Sequence, residues 1–91
     1  MTKLLTEAEI KQRLIKCRNW ERHGKEISRQ HKFSAFIPAM AYVNHVADIA
    51  ESMDHHPDIL IQYNKVTLTL STHSAGGLTD LDFTLAQKLD A

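Results

Sequence analysis

Between Asp58 and His73 apolar side chains recur at every second position: Ile59, Ile61 and Tyr63 before Asn64-Lys65, then Val66, Leu68 and Leu70 after it. A period of two places these six on one face of a pleated ribbon, and Asn64-Lys65 supplies turn chemistry, so the stretch predicts an antiparallel hairpin. With Asn64 and Lys65 as a two-residue turn, Tyr63 faces Val66, Ile61 faces Leu68 and Ile59 faces Leu70. That register also sets His56 opposite His73, on the other face with Leu60, Gln62, Thr67, Thr69 and Ser71. An isolated hairpin is marginal in water, so further strands or helices must cover its apolar face.

The flanking sequence supplies both. Thr6-Glu7-Ala8-Glu9 fits a capping box, Leu5 can staple onto Ile10, and Ile10, Leu14 and Cys17 recur at helical spacing, which predicts a helix over 6–17. Between Trp20 and Phe33, Ile27 and Phe33 alternate with Ser28, Gln30 and Lys32, and His23-Gly24-Lys25 has turn character, which predicts two short strands. Ser34 is the expected N-cap of the next helix, with Pro38 tolerated near its first turn. Phe36, Met40, Val43, Ala47, Ala50 and Met53 form its expected core stripe. Leu78 and Thr79 then repeat the staple-and-cap logic, with Asp82 at the third helical position, predicting a last helix over 79–89. The expected order is α-β-β-α-β-β-α. An α+β fold in two layers follows, a four-stranded antiparallel sheet with helices packed on one face.

At 91 residues the chain fits a single domain over 1–91. Eleven Lys and Arg cancel eleven Asp and Glu, so no net positive field draws in phosphate backbones, and direct nucleic-acid binding is not expected. The apolar run Ile37 to Val43 is far below the ~20 residues that span a bilayer. Met1-Thr2-Lys3 leads into polar sequence rather than a signal-peptide core, so a cytoplasmic protein without membrane attachment is expected. Cys17 is the single cysteine, which rules out an internal disulfide, a CxxC pair and a thiolate zinc cage.

Six histidines are the compositional excess. Glu51 and His55 lie one helical turn apart if the core helix reaches that far, so a carboxylate can orient an imidazole. Pro57 biases His56 toward extended backbone, leaving two adjacent histidines where helix gives way to strand. With His73 opposite, three imidazoles and a carboxylate converge on one rim. Because imidazole titrates near neutrality, such a group can give a proton to a leaving oxygen and take one from a neighbouring nitrogen. Two other readings stand beside it. Each histidine taken singly reads as a partly solvated cap or turn residue, and three His with a Glu can bind zinc, although adjacent His55 and His56 chelate poorly and HExxH spacing is absent.

With these residues in view, the chain resembles the pterin-4a-carbinolamine dehydratases. Their pattern is matched by Glu51, His55-His56-Pro57, Tyr63, His73 and Asp82, and the likeness extends more weakly over about residues 6–90. The resemblance implies dehydration of 4a-hydroxytetrahydropterin to quinonoid dihydropterin without metal or organic cofactor. By matching positions, His55 and His73 would transfer protons, His56 would bind and orient the substrate, Glu51 would orient or charge-stabilise an imidazole, and Pro57 would set the start of the strand. Asp82 is also a helix cap by position, and Tyr63 is expected to pack in the core. Members of the family form homodimers or homotetramers, and one in animals serves as a dimerisation cofactor for a transcription factor. An oligomeric interaction protein without catalysis is therefore the alternative.

Overall fold

A computed structural model of the chain describes residues 3–90. The order is α1 (Glu7–Leu14), β1 (Glu21–His23), β2 (Glu26–Lys32), α2 (Phe36–Met53), β3 (Asp58–Gln62), β4 (Lys65–Leu70), a 3₁₀ turn (His73–Ala75) and α3 (Asp80–Asp90). The four strands form one antiparallel sheet in the order β1-β2-β4-β3, the α+β arrangement expected from the sequence. Ile27, Val66, Leu68 and Leu70 are fully buried on one face of it, against Val46 and Ala50 of α2 and Phe83, Leu85 and Leu89 of α3.

The helix ends follow from capping. The Thr6 hydroxyl accepts the Glu9 N–H at 3.2 Å and the Glu9 carboxylate accepts the Thr6 N–H at 2.9 Å, the expected reciprocal box. Leu5 and Ile10 are both buried beside it. The α-helix stops at Leu14 rather than 17, because the N–H groups of Lys16 and Cys17 bond three residues back, to Arg13 and Leu14, and this tighter winding carries Cys17 into the core.

Two further expectations change in α2. Its N-cap is Ala35, not Ser34, and no side chain caps it. Its core face is Ala39, Val46 and Ala50, flanked by half-buried Tyr42, Val43, Ile49 and Met53. Phe36 stays 44% exposed and Ala47 lies outside the core. The helix is apolar around more than half its circumference, so periodicity does not choose a face. Ala39 and Ala50 do, since small side chains let the backbone approach the sheet closely.

In the hairpin Ile61 pairs with Val66, Ile59 with Leu68 and Gln62 with Lys65, two positions from the expected register. A shift of two preserves the face, so Val66, Leu68 and Leu70 are buried and Ile59 and Ile61 half-buried on the expected side. Tyr63 does not join them: with Asn64 it forms the turn, at φ 56° and 65% exposed, instead of packing in the core. The cause is Asn64. Its side-chain amide donates to the Phe33 carbonyl at 2.9 Å, and its own carbonyl accepts the Phe33 N–H at 2.8 Å, clamping it to the end of β2. A tyrosine in left-handed backbone is strained and here packs little, so Tyr63→Asn should raise stability by about 0.5–1 kcal/mol, read from denaturant melts. An unchanged or lower midpoint would show that the ring makes contacts worth more than the strain.

Candidate functional site

The site is built where three chain ends meet. At the end of α2 Asp54 takes left-handed backbone (φ 51°, ψ 39°), and the His55 N–H bonds back to the Ala50 carbonyl at 3.2 Å. This terminating turn throws successive side chains in opposite directions. His55 turns inward to 9% exposure, His56 turns outward, and Pro57 leads into the extended β3.

Under His55 lies the start of α3. Asp82, at the third helical position and fully buried, accepts the Thr79 N–H at 2.9 Å through Oδ2, while the Thr79 hydroxyl accepts the Leu81 N–H at 3.2 Å. Its Oδ1 stands 2.6 Å from His55 Nε2. Asp82 is thus a cap and the partner of an imidazole at once. A buried carboxylate is stable only with its acceptor sites filled, and a third donor, the Thr72 hydroxyl, reaches Oδ2 at 2.9 Å. Thr72 is placed by a closed loop. Its N–H donates to the Gly77 carbonyl at 2.9 Å, and its own carbonyl accepts from Ala75 and Gly76 at 3.0 Å, with Gly76 at φ 81°.

That loop carries His73 as the first residue of the 3₁₀ turn, so β4 ends at Leu70 and the expected strand pairing of His56 with His73 does not form. The imidazoles meet nonetheless. His55, His56 and His73 line one open cavity of about 310 Å³, with Asp54, Ser71, Thr72 and Ser74 completing its wall. A larger groove of about 370 Å³ runs between α1 and α3, but its ion pair, Arg13 with Asp80, has no imidazole beside it, so proton-transfer groups belong to the smaller cavity.

Glu51 does not reach His55, because the helix ends at Met53; its carboxylate lies 3.7 Å from His56 Nε2, both side chains well exposed. Among the described residues Glu51, Asp54 and His56 each bring one ligand atom to within 4.8 Å of the others, all exposed. The three-histidine set considered from the sequence is a different one, and in it the Nε2 of His55 is already engaged by Asp82. Thr72 and Thr79 are site residues that sequence reasoning passed over. Thr79 was legible as a cap, but its link to Thr72, 2.8 Å between hydroxyl oxygens, depends on loop closure that no local pattern announces.

Comparison with known proteins bears on this geometry. The family model described as pterin 4 alpha carbinolamine dehydratase matches residues 3–91. A protein of Sulfurisphaera tokodaii named "Putative pterin-4-alpha-carbinolamine dehydratase" is 49% identical over 88 residues, covering 97% of this chain and 95% of that one. The crystal structure of a transcriptional coactivator/pterin dehydratase from Brucella melitensis superposes with a TM-score of 0.88 at 38% identity, over 94% of each chain. A pterin dehydratase-like protein described as a RuBisCO assembly factor in the alpha-carboxysome shares the fold, with a TM-score of 0.67 at 21% identity over 79% of this chain and 86% of that one.

Proposed function

Since the chain belongs to the pterin-4a-carbinolamine dehydratase family, we propose that it removes water from 4a-hydroxytetrahydropterin to give quinonoid dihydropterin. The observation that carries this reading is the shared cavity: one imidazole held from beneath by a buried carboxylate, two more on its rim. In the proposed reaction an imidazolium protonates the C4a hydroxyl, the C–O bond breaks to release water, and a neutral imidazole takes the N5 proton as the C4a–N5 double bond forms. His55 and His73 transfer the protons, His56 binds and orients the pterin, Glu51 supports His56 electrostatically, and Pro57 holds the start of β3. Asp82 orients His55. The carbinolamine also loses water unaided, so a positioned acid and base, worth about 10²–10⁴-fold, are sufficient, and no metal or organic cofactor is required.

Stopped-flow ultraviolet absorbance of freshly generated 4a-hydroxytetrahydropterin tests the reading, comparing native protein, chelator-treated protein and buffer. Equal acceleration by the native and chelator-treated samples is expected. No acceleration by folded protein would remove the assignment for this substrate, and loss of activity to the chelator would move the chemistry to a metal.

An assembly belongs to the same proposal. Phe36 and Ile37 on α2 are exposed, Ile37 to 73%, and half-buried Met40 lies between them on the helix surface, so the helix offers apolar surface to a second copy. We expect a homodimer or homotetramer in the cytoplasm; no helix among the described residues is long and apolar enough to cross a membrane. Ile37→Glu should shift the light-scattering mass toward one chain with the circular dichroism of α2 retained, and an unchanged mass would place any interface elsewhere. The second reading, an interaction protein without catalysis, is favoured by the word coactivator in the name of the Brucella melitensis relative. It gives no role to a buried His55–Asp82 pair opening onto a cavity.

A further inference from the structure

The hydrogen bonds beneath the cavity have one consistent direction. A carboxylate only accepts, so the Thr72 hydroxyl, 2.9 Å from Asp82 Oδ2, must donate to it. A hydroxyl has one proton, so in the 2.8 Å contact between Thr72 and Thr79 it is Thr79 that donates. Thr79 in turn accepts the Leu81 N–H, and its own N–H donates to Oδ2. Two donors converge on Oδ2, both delivered by threonines that are themselves buried. Oδ1 is left to accept from His55 Nε2. The other ring nitrogen, Nδ1, has no hydrogen-bond partner among the described residues. It is not a sealed orphan either, because among the described residues no buried side-chain nitrogen or oxygen lacks a partner; it opens toward the cavity that His55 lines.

We infer that Thr72 and Thr79 are positioning residues: the series Leu81 N–H, Thr79, Thr72, Asp82 fixes His55 as the Nε2–H tautomer and presents the Nδ1 lone pair to the substrate. All proton exchange between His55 and a bound molecule then runs through Nδ1. The consequence for rate rests on the dehydratase reading; the tautomer does not.

The test is long-range ¹H–¹⁵N correlation of histidine-labelled protein at about pH 8.5, well above the ordinary imidazole range, on the wild type, Thr72→Val and Thr72→Ser. The wild type should show His55 with a protonated Nε2 and a pyridine-like Nδ1. Valine should give a tautomer mixture and a kcat about tenfold lower with KM within twofold, and serine should restore both. A wild type carrying its proton on Nδ1 overturns the inference without any variant, as does a folded Thr72→Val protein with an unchanged His55 pattern. Fixed Nε2–H tautomer in a protein that accelerates no dehydration would uphold the positioning and sink the proposed activity, so the two failures are distinguishable.

Discussion

His73→Ala should lower the protein's acceleration of 4a-hydroxytetrahydropterin dehydration by about 10²-fold, toward the spontaneous rate, while its melting temperature and assembly hardly change. The asymmetry comes from exposure. His73 lies exposed on the rim of the cavity, in a short turn whose backbone is held by the Thr72 and Gly77 bonds, and its imidazole makes no hydrogen bond among the described residues. Removing the ring therefore deletes the proposed proton-transfer group and little else. Stopped-flow rates beside a thermal melt read both effects. A full rate in the folded variant would take His73 out of the chemistry, and an unfolded or dissociated variant would give it a structural role instead.

Asp82→Ala should be the most destabilising single change at the site, by about 3–5 kcal/mol. It removes the acceptor of three donors at once: the His55 Nε2–H, the Thr72 hydroxyl and the Thr79 N–H that caps α3. All of these lie in buried surroundings, so no water replaces the lost partner cheaply. In a domain of 91 residues, whose total stability is of the order of 5–14 kcal/mol, the loss should lower the melting temperature by roughly 15–30 °C. Asp82→Asn separates the roles. Its amide oxygen can serve the threonine side or the histidine side but not both, so it should keep part of the stability and lose most of the rate. If Asp82→Ala melted within a few degrees of wild type, the buried network would not be the support described.

The contrast between these residues shows what the chain made legible. Asp82 as a cap followed from Thr79 three residues earlier, since helix ends need donors and acceptors at fixed spacing. The four antiparallel strands followed from two stretches of period two separated by a helix. What failed was decided by contacts distant in sequence. The hairpin turn moved onto Tyr63 because Asn64 is clamped by Phe33, thirty-one residues away, and the buried face of α2 was chosen by which side chains are small enough to lie against the sheet. Glu51 pairs with His56 rather than His55 because the helix stops at Met53, two residues before the spacing argument needed it to. The family resemblance rested on residue identities, and those do not depend on register.

The His55–Asp82 pair spans 27 residues of chain, between the end of one helix and the start of another, with β3, β4 and the 72–77 loop between them. No local segment can preorganise it, because every intervening element must be in place before the carboxylate meets the imidazole. Partially folded forms of the chain therefore have no weakened version of the site. Through a denaturation curve, turnover should report the population of the fully native molecule, and a compound seated in the cavity should raise the cooperativity-limited midpoint of the whole domain rather than of one part.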